Sequence, residues 1–166
     1  MPQPSTIKPI PDGFRTVTPH LVVEGAVEAL NFYTKAFAAT VMDKTLLPDG
    51  RVKHGAMKIG DSILFVVDDF PEWSGGKAKH PHALGGSSVS IHLYCDDCDD
   101  CDDCDGWTRR AGDAGCTVVM EPMNAFWGDR FAMVRDPYGH EWTIATHNRE
   151  MTKEQMTAEM KQAGMC

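Results

Sequence analysis

Val17-Thr18-Pro19-His20-Leu21 near one end of the chain is answered by Val89-Ser90-Ile91-His92-Leu93 past its middle. Further along each half, His54-Gly55-Ala56-Met57 is answered by Arg130-Phe131-Ala132-Met133, each just ahead of a turn and a final apolar run. The segments around these anchors follow one order. Arg15 to Val23 reads as a strand, broken at Gly25, after which Val27, Leu30, Tyr33 or Thr34, and Phe37 recur at helical spacing. Strands follow at Ala39–Leu47, closed by Pro48-Asp49-Gly50, and at Arg51–Ile59 and Ser62–Asp68 around the tight turn Gly60-Asp61. The second half predicts a strand over Ser88–Cys95, a helix over Trp107–Ala114, and strands over Cys116–Glu121 and Asp129–Arg135. The turn Asp136-Pro137-Tyr138-Gly139 then leads into a last strand, Glu141–Thr146. Both halves read βαβββ, and a repeat in residues as well as order predicts two similar modules sharing a concave surface.

The expected organisation is an N-terminal extension (1–14), a first module (15–69), a Gly-, Pro- and His-rich linker (70–87), a second module (88–147) and a C-terminal helix (148–166). That helix opens on the capping box Thr152-Lys153-Glu154-Gln155, with Met156 and Met160 spaced for packing.

Composition removes several function classes. The chain has 166 residues, 42% hydrophobic and 24% charged, as a folded globular protein of one domain or two small modules does. Its net charge is −8, but seven aspartates lie between Cys95 and Asp105, so the remainder is close to neutral. No basic stripe offers itself to nucleic acid. The longest apolar run, Ile63 to Val67, is too short to span a bilayer. Met1 to Phe14 is polar and Pro-rich, unlike a signal peptide, and four of the six cysteines are clustered rather than spread to staple loops. A cytoplasmic protein with reduced thiols is the expectation.

Phe32-Tyr33 late in the first helix and Asp136-Pro137-Tyr138-Gly139-His140 before the last strand resemble the vicinal oxygen chelate superfamily of glyoxalases, bleomycin-resistance proteins and dioxygenases. Thr18-Pro19-His20-Leu21-Val22-Val23, Phe126-Trp127-Gly128-Asp129-Arg130 and Gly139-His140-Glu141-Trp142 resemble its PhnB-like branch. The likeness covers residues 15 to 147. It implies an α+β fold of two paired βαβββ modules forming an open, half-closed sheet around a pocket, within a homodimer. It also implies a metal site built from His or Glu on the first and last strand of each module. Those positions here are Thr18, Phe65, Ser90 and Thr143, none of them a ligand of that kind. Without the ion the family's Lewis acid is lost, and fold alone does not restore a reaction.

Two readings follow, and whether the chain is an enzyme is left open between them. In the first, no cofactor is expected and the protein binds a small organic ligand through His20, Phe65, His92, Trp127, Arg130 and Glu141, the arginine meeting an anionic or carbonyl group. In the second, His20, His92 and Glu141, displaced by two residues along their strands, hold a divalent metal for lyase, isomerase or dioxygenase chemistry. A two-residue slip moves a side chain by about 7 Å, which separates that site from the family's own.

The run from Cys95 to Asp105, Cys-Asp-Asp repeated, has Cys-x-x-Cys spacing that suits zinc or an iron–sulfur cluster, with Cys116 as a remote ligand. Neighbouring carboxylates oppose thiolate formation, however. Removing two Cys-Asp-Asp units restores the expected strand-to-helix connection, so the run reads as a tandem expansion whose aspartates suit a helix start. Asp68-Asp69, at a strand end, is expected to be solvated.

Overall fold

The computed structural model describes residues 7–95 and 103–165. Strands β1 (His20–Val23), β2 (Thr40–Leu46), β3 (Val52–Ile59) and β4 (Ser62–Asp68) form one sheet in the order β1-β4-β3-β2, with helix α1 (Ala26–Ala36) between β1 and β2. Strands β5 (Ser90–Tyr94), β6 (Thr117–Asn124), β7 (Asp129–Arg135) and β8 (Glu141–His147) form a second in the matching order β5-β8-β7-β6, with α3 (Cys104–Ala114) between β5 and β6. Each sheet is mixed: its first and last strands run parallel, the rest antiparallel, and neither closes into a barrel. The α+β architecture with a βαβββ order in each half is therefore the one expected. The short α2 (Pro81–Leu84) and α4 (Lys153–Gln162) complete the described helices.

The boundaries differ where local chemistry overrides pattern. β1 begins at His20 rather than Arg15, because Pro19 has no N–H for a ladder and offers only its carbonyl, which accepts from Phe65 N at 2.9 Å. β6 runs on through Pro122 to Asn124, tolerated because it is an edge strand. α3 begins at Cys104, three residues early, because Asp103 caps it by accepting from Asp105 N and Gly106 N. The expected linker holds a 3-10 turn at Pro71–Trp73 as well as α2. The capping box at Thr152 forms as its sequence predicts.

The chain divides into two compact units, one of residues 1–34 and 38–80, the other of 35–37 and 81–166. In the first, Leu21, Val23, Leu30, Tyr33, Met57, Leu64 and Val66 are fully or almost fully buried. A Cβ on Gly55 would meet Val66 O at 2.6 Å and Leu30 Cδ1 at 3.2 Å, so glycine lets β3 lie tight beneath α1. In the second, Trp142, Ile144, Ala132 and Val134 form the floor, and Phe37 lies 4.4 Å, ring to ring, from Trp142.

Asp68 departs from expectation. It is 7% exposed; Oδ1 accepts from Gly25 N and Ala26 N at the start of α1, while Oδ2 accepts from Val52 N at 2.6 Å. The unpaired N–H groups of a helix start draw the carboxylate inward. Asp69 in turn accepts from His80 N at 2.9 Å and anchors the end of the linker. Neither acid is merely solvated.

Candidate functional site: an aromatic sheet face with a buried carboxylate

Side chains alternate across a sheet, so the strand registers decide which residues share a face. In the second sheet His92 opposes Thr143, Met133 opposes Thr143, Phe131 opposes Ala145, and Asp129 opposes His147. All of these point one way, together with Tyr94 and Glu141. Ile91, Arg130, Ala132, Val134, Trp142 and Ile144 point the other way, toward α3.

The first face is lined with rings. His92 stacks at 6.3 Å on Phe131 and meets Tyr94 edge-on at 4.5 Å; Trp127 meets Phe131 edge-on at 5.3 Å and Phe126 at 5.0 Å. Such tilted and edge contacts are the favourable geometries for quadrupolar rings. His92 Nδ1 lies 2.6 Å from Thr143 Oγ1, which fixes its ring plane. Burial, only partly offset by Asp129, holds its basicity below that of an ordinary histidine.

Asp129 is the polar centre of this face. It is 3% exposed and accepts from Trp127 Nε1 at 2.8 Å, from His147 Nδ1 at 2.6 Å and, more weakly, from Tyr94 Oη at 3.4 Å. Those donors make a buried carboxylate tolerable and orient three rings at once. The bonds to Asp129, then the exposed Glu150 at 3.3 Å from Nε2, raise the basicity of His147.

The first sheet has a matching ring cluster. His20 opposes Phe65 in register and meets it edge-on at 5.8 Å, His54 lies 4.9 Å from the same ring, and Phe14 covers it at 5.6 Å. Burial and then the neighbouring His54 charge lower the basicity of His20.

The candidate residues thus fall into distinct settings. His20 and Phe65 share the first sheet's face; His92, Trp127 and Glu141 belong to the second's. Glu141 is ion-paired with Arg135 at 2.7 Å. Arg130 stands on the opposite side of its strand, where Nε and Nη2 hold the two carboxylate oxygens of Asp105 at 2.7 and 2.8 Å. Its fork is occupied in tying β7 to α3. Sequence reading missed Asp129, His147, Tyr94 and Phe131. The signal was present: with Arg135 and Glu141 paired across a tight turn, counting back six residues on each strand sets Asp129 opposite His147.

The four family ligand positions do not fit a divalent ion. Phe65 is packed among rings, Thr143 is bonded to His92, and Thr18 and Ser90 offer only neutral hydroxyls. Among the described residues no group of three or more His, Cys, Asp or Glu side chains is placed to hold a metal. Cys95, Cys104 and Cys116 are buried, the last two as free thiols. Burial pushes Cys104 up to about 11 and Cys116 up to about 12, which keeps both protonated. The repeat between them, residues 96–102, lies outside the described residues, as does Cys166.

Recesses of about 400 and 510 Å3 open beside α3, lined by Asp105, Arg109, Asp113 and Glu121 in one and by Lys35, Arg109 and Arg110 in the other. Their walls are charged and lack aromatic rings, so they match small-ligand sites less well than the ring-lined face does.

The pair of βαβββ sheets is the fold this chain shares with solved glyoxalase/bleomycin resistance protein/dioxygenase structures. Residues 15–144 match the Glyoxalase/Bleomycin resistance protein/Dioxygenase superfamily, and the chain belongs to it. It is 38% identical over 148 residues to uncharacterised proteins of Mycobacterium tuberculosis and Mycobacterium bovis, covering 89% of this chain and 84% and 93% of theirs. Among solved structures, a gene product of Arabidopsis thaliana matches at 26% identity and TM-score 0.59, over 80% of this chain and 98% of that one. A PhnB protein of Bacillus cereus shares the fold at 18% identity and TM-score 0.56, over 80% and 99%. No described helix is long and apolar enough to cross a membrane.

Proposed function

We propose that the chain is a PhnB-like member of the superfamily that binds a small, flat organic ligand without the family metal. The ligand lies against the ring-lined face of the second sheet. The observation that carries this reading is the ring set His92, Tyr94, Trp127 and Phe131, held in orientation by Thr143 and the buried Asp129. Three of those rings are fixed by hydrogen bonds of their own polar atoms, so little conformational entropy remains to be lost when a ligand stacks there. Glu141 and Arg135 offer a charged pair at one margin of this face. His20 and Phe65 provide a second, smaller ring surface on the first sheet. The protein acts in the cytoplasm as a homodimer.

A panel of planar aromatic compounds, followed by ligand-observed NMR with the full chain in the presence of EDTA, tests this. Binding should persist with the chelator and weaken about tenfold, or about 1.4 kcal/mol, in Phe131→Ala. Binding abolished by EDTA, restored by a divalent ion and lost in His92→Ala would overturn it in favour of a metal held by His20, His92 and Glu141.

A further inference from the structure

The aromatic face ends at a pair of groups that stacking alone does not require. His147 and Asp129 are opposed across β7 and β8, and the His147 imidazole is about half exposed while the carboxylate behind it is almost fully buried. Trp127 hangs from one oxygen of that carboxylate and His147 from the other. A ligand ring stacked beside Trp127 and Phe131 therefore has an imidazole edge next to it.

From the geometry we infer that His147 and Asp129 form a proton-accepting dyad, which suits this face to a flat ring bearing a weakly acidic O–H. This rests on the second sheet's face being the ligand surface. Asp129 accepts, so Nδ1 carries a hydrogen; in the neutral ring Nε2 then presents its lone pair outward, and in the protonated ring it donates toward Glu150. Where His147 is neutral the proton passes from the ligand hydroxyl to Nε2, and where His147 is already protonated it passes to water; in both cases the O–H electron pair stays on the ligand oxygen. The products are an oxyanion and an imidazolium, the latter balanced by Asp129. Glu150, the other charged group facing the ring, is 97% exposed and 3.3 Å from Nε2, so the ligand hydroxyl displaces it at little cost. Tyr94 Oη, also on Asp129, adds a neutral hydroxyl, and His92 stands two residues before it on the same face. The raised basicity of His147 is in keeping with the role.

The probe is 4-nitrophenol, whose ionised form is coloured, with nitrobenzene as a ring of similar shape that has no hydroxyl. Both are titrated into the full chain at a pH where free 4-nitrophenol is mostly neutral. Binding is followed by NMR and ionisation by visible absorbance. We expect bound 4-nitrophenol to take on the colour of its anion in the wild type. In His147→Gln it should bind about tenfold more weakly and stay colourless, whereas nitrobenzene should bind both proteins alike. Because His147 is half exposed, the variant keeps its fold, which an unchanged melting profile at alkaline pH, where the His147 pairing no longer contributes, would confirm. Nitrophenol that binds the wild type colourless, or that colours equally in the variant, overturns the dyad and leaves the aromatic surface standing. If neither compound binds, the dyad falls together with the ligand surface on which it rests.

Discussion

Asp68, Asp129 and Asp136 are each 7% exposed or less, and each is surrounded by N–H donors rather than by cations alone. Asp136 accepts from Tyr138 N, His140 N and Trp142 Nε1, which fixes the turn that sets the β7–β8 register. Removing such a group leaves buried donors unpaired. Asp68→Ala should therefore lower stability by about 2–4 kcal/mol in urea unfolding, with its three backbone partners losing their acceptor. The histidines divide by sign. His147 binds its proton more tightly in the native state than the ordinary 6.5, so its pairing stabilises fully below that value and is lost as pH rises through the higher native one. His92 binds its proton less tightly, so its contribution is full above 6.5 and fades as pH falls toward the lower native value. Unfolding measured across this range should show His147→Gln removing the loss on the alkaline side, and His92→Ala removing the loss on the acidic side. The buried thiols give a third expectation. Cys104, whose Sγ donates to Ile144 O at 3.3 Å, and Cys116 should escape alkylation at neutral pH until the chain unfolds, as peptide mapping would show.

At the scale of elements, the ends of helices carry the informative chemistry. α3 was legible only in its body, because the repeat before it obscures where the turn ends and the cap begins. Asp103→Ala should cost about 1 kcal/mol, since two N–H groups of the first turn lose their acceptor. α1 closes differently: Ala38 takes a φ of +50° just past its end, the left-handed region that a Cβ disfavours. Ala38 is exposed, so Ala38→Gly sacrifices no packing and should raise stability by about 0.5–1 kcal/mol in urea unfolding. Gly55 is the reverse case within β3. A methyl there would strike the backbone of β4, so Gly55→Ala should be destabilising although alanine is acceptable to an isolated strand.

Across the whole molecule the repeat is an order of elements and a register, not a copy of side chains. His20 and His92 oppose Phe65 and Thr143 respectively, so equivalent places hold a hydrophobic ring in one sheet and a hydrogen-bonding hydroxyl in the other. The second unit also takes part of its core from residues 35–37, far ahead of the rest in sequence. Phe37→Ala should therefore destabilise the second unit by about 3–5 kcal/mol, seen as early loss of near-UV signal from buried Trp142. Helix α4 buries no residue, so its removal should leave the melting temperature nearly unchanged.

The order of strands and helices was readable from the chain because periodicity, turn residues and capping boxes are local, and the repeated anchors state the same order twice. Which residues share the site was not. Arg130 and Phe131 are neighbours in sequence, yet one clamps a helix and the other lines the ring face, because a strand sends alternate side chains to opposite sides. Asp129 and His147 are eighteen residues apart and meet only through the register of β7 on β8. Asp68 looked like a solvated strand end until the start of α1 came to rest above it. Hydrogen-bond partners across a sheet are long-range facts, decided when the strands align, and only the tertiary structure fixes them.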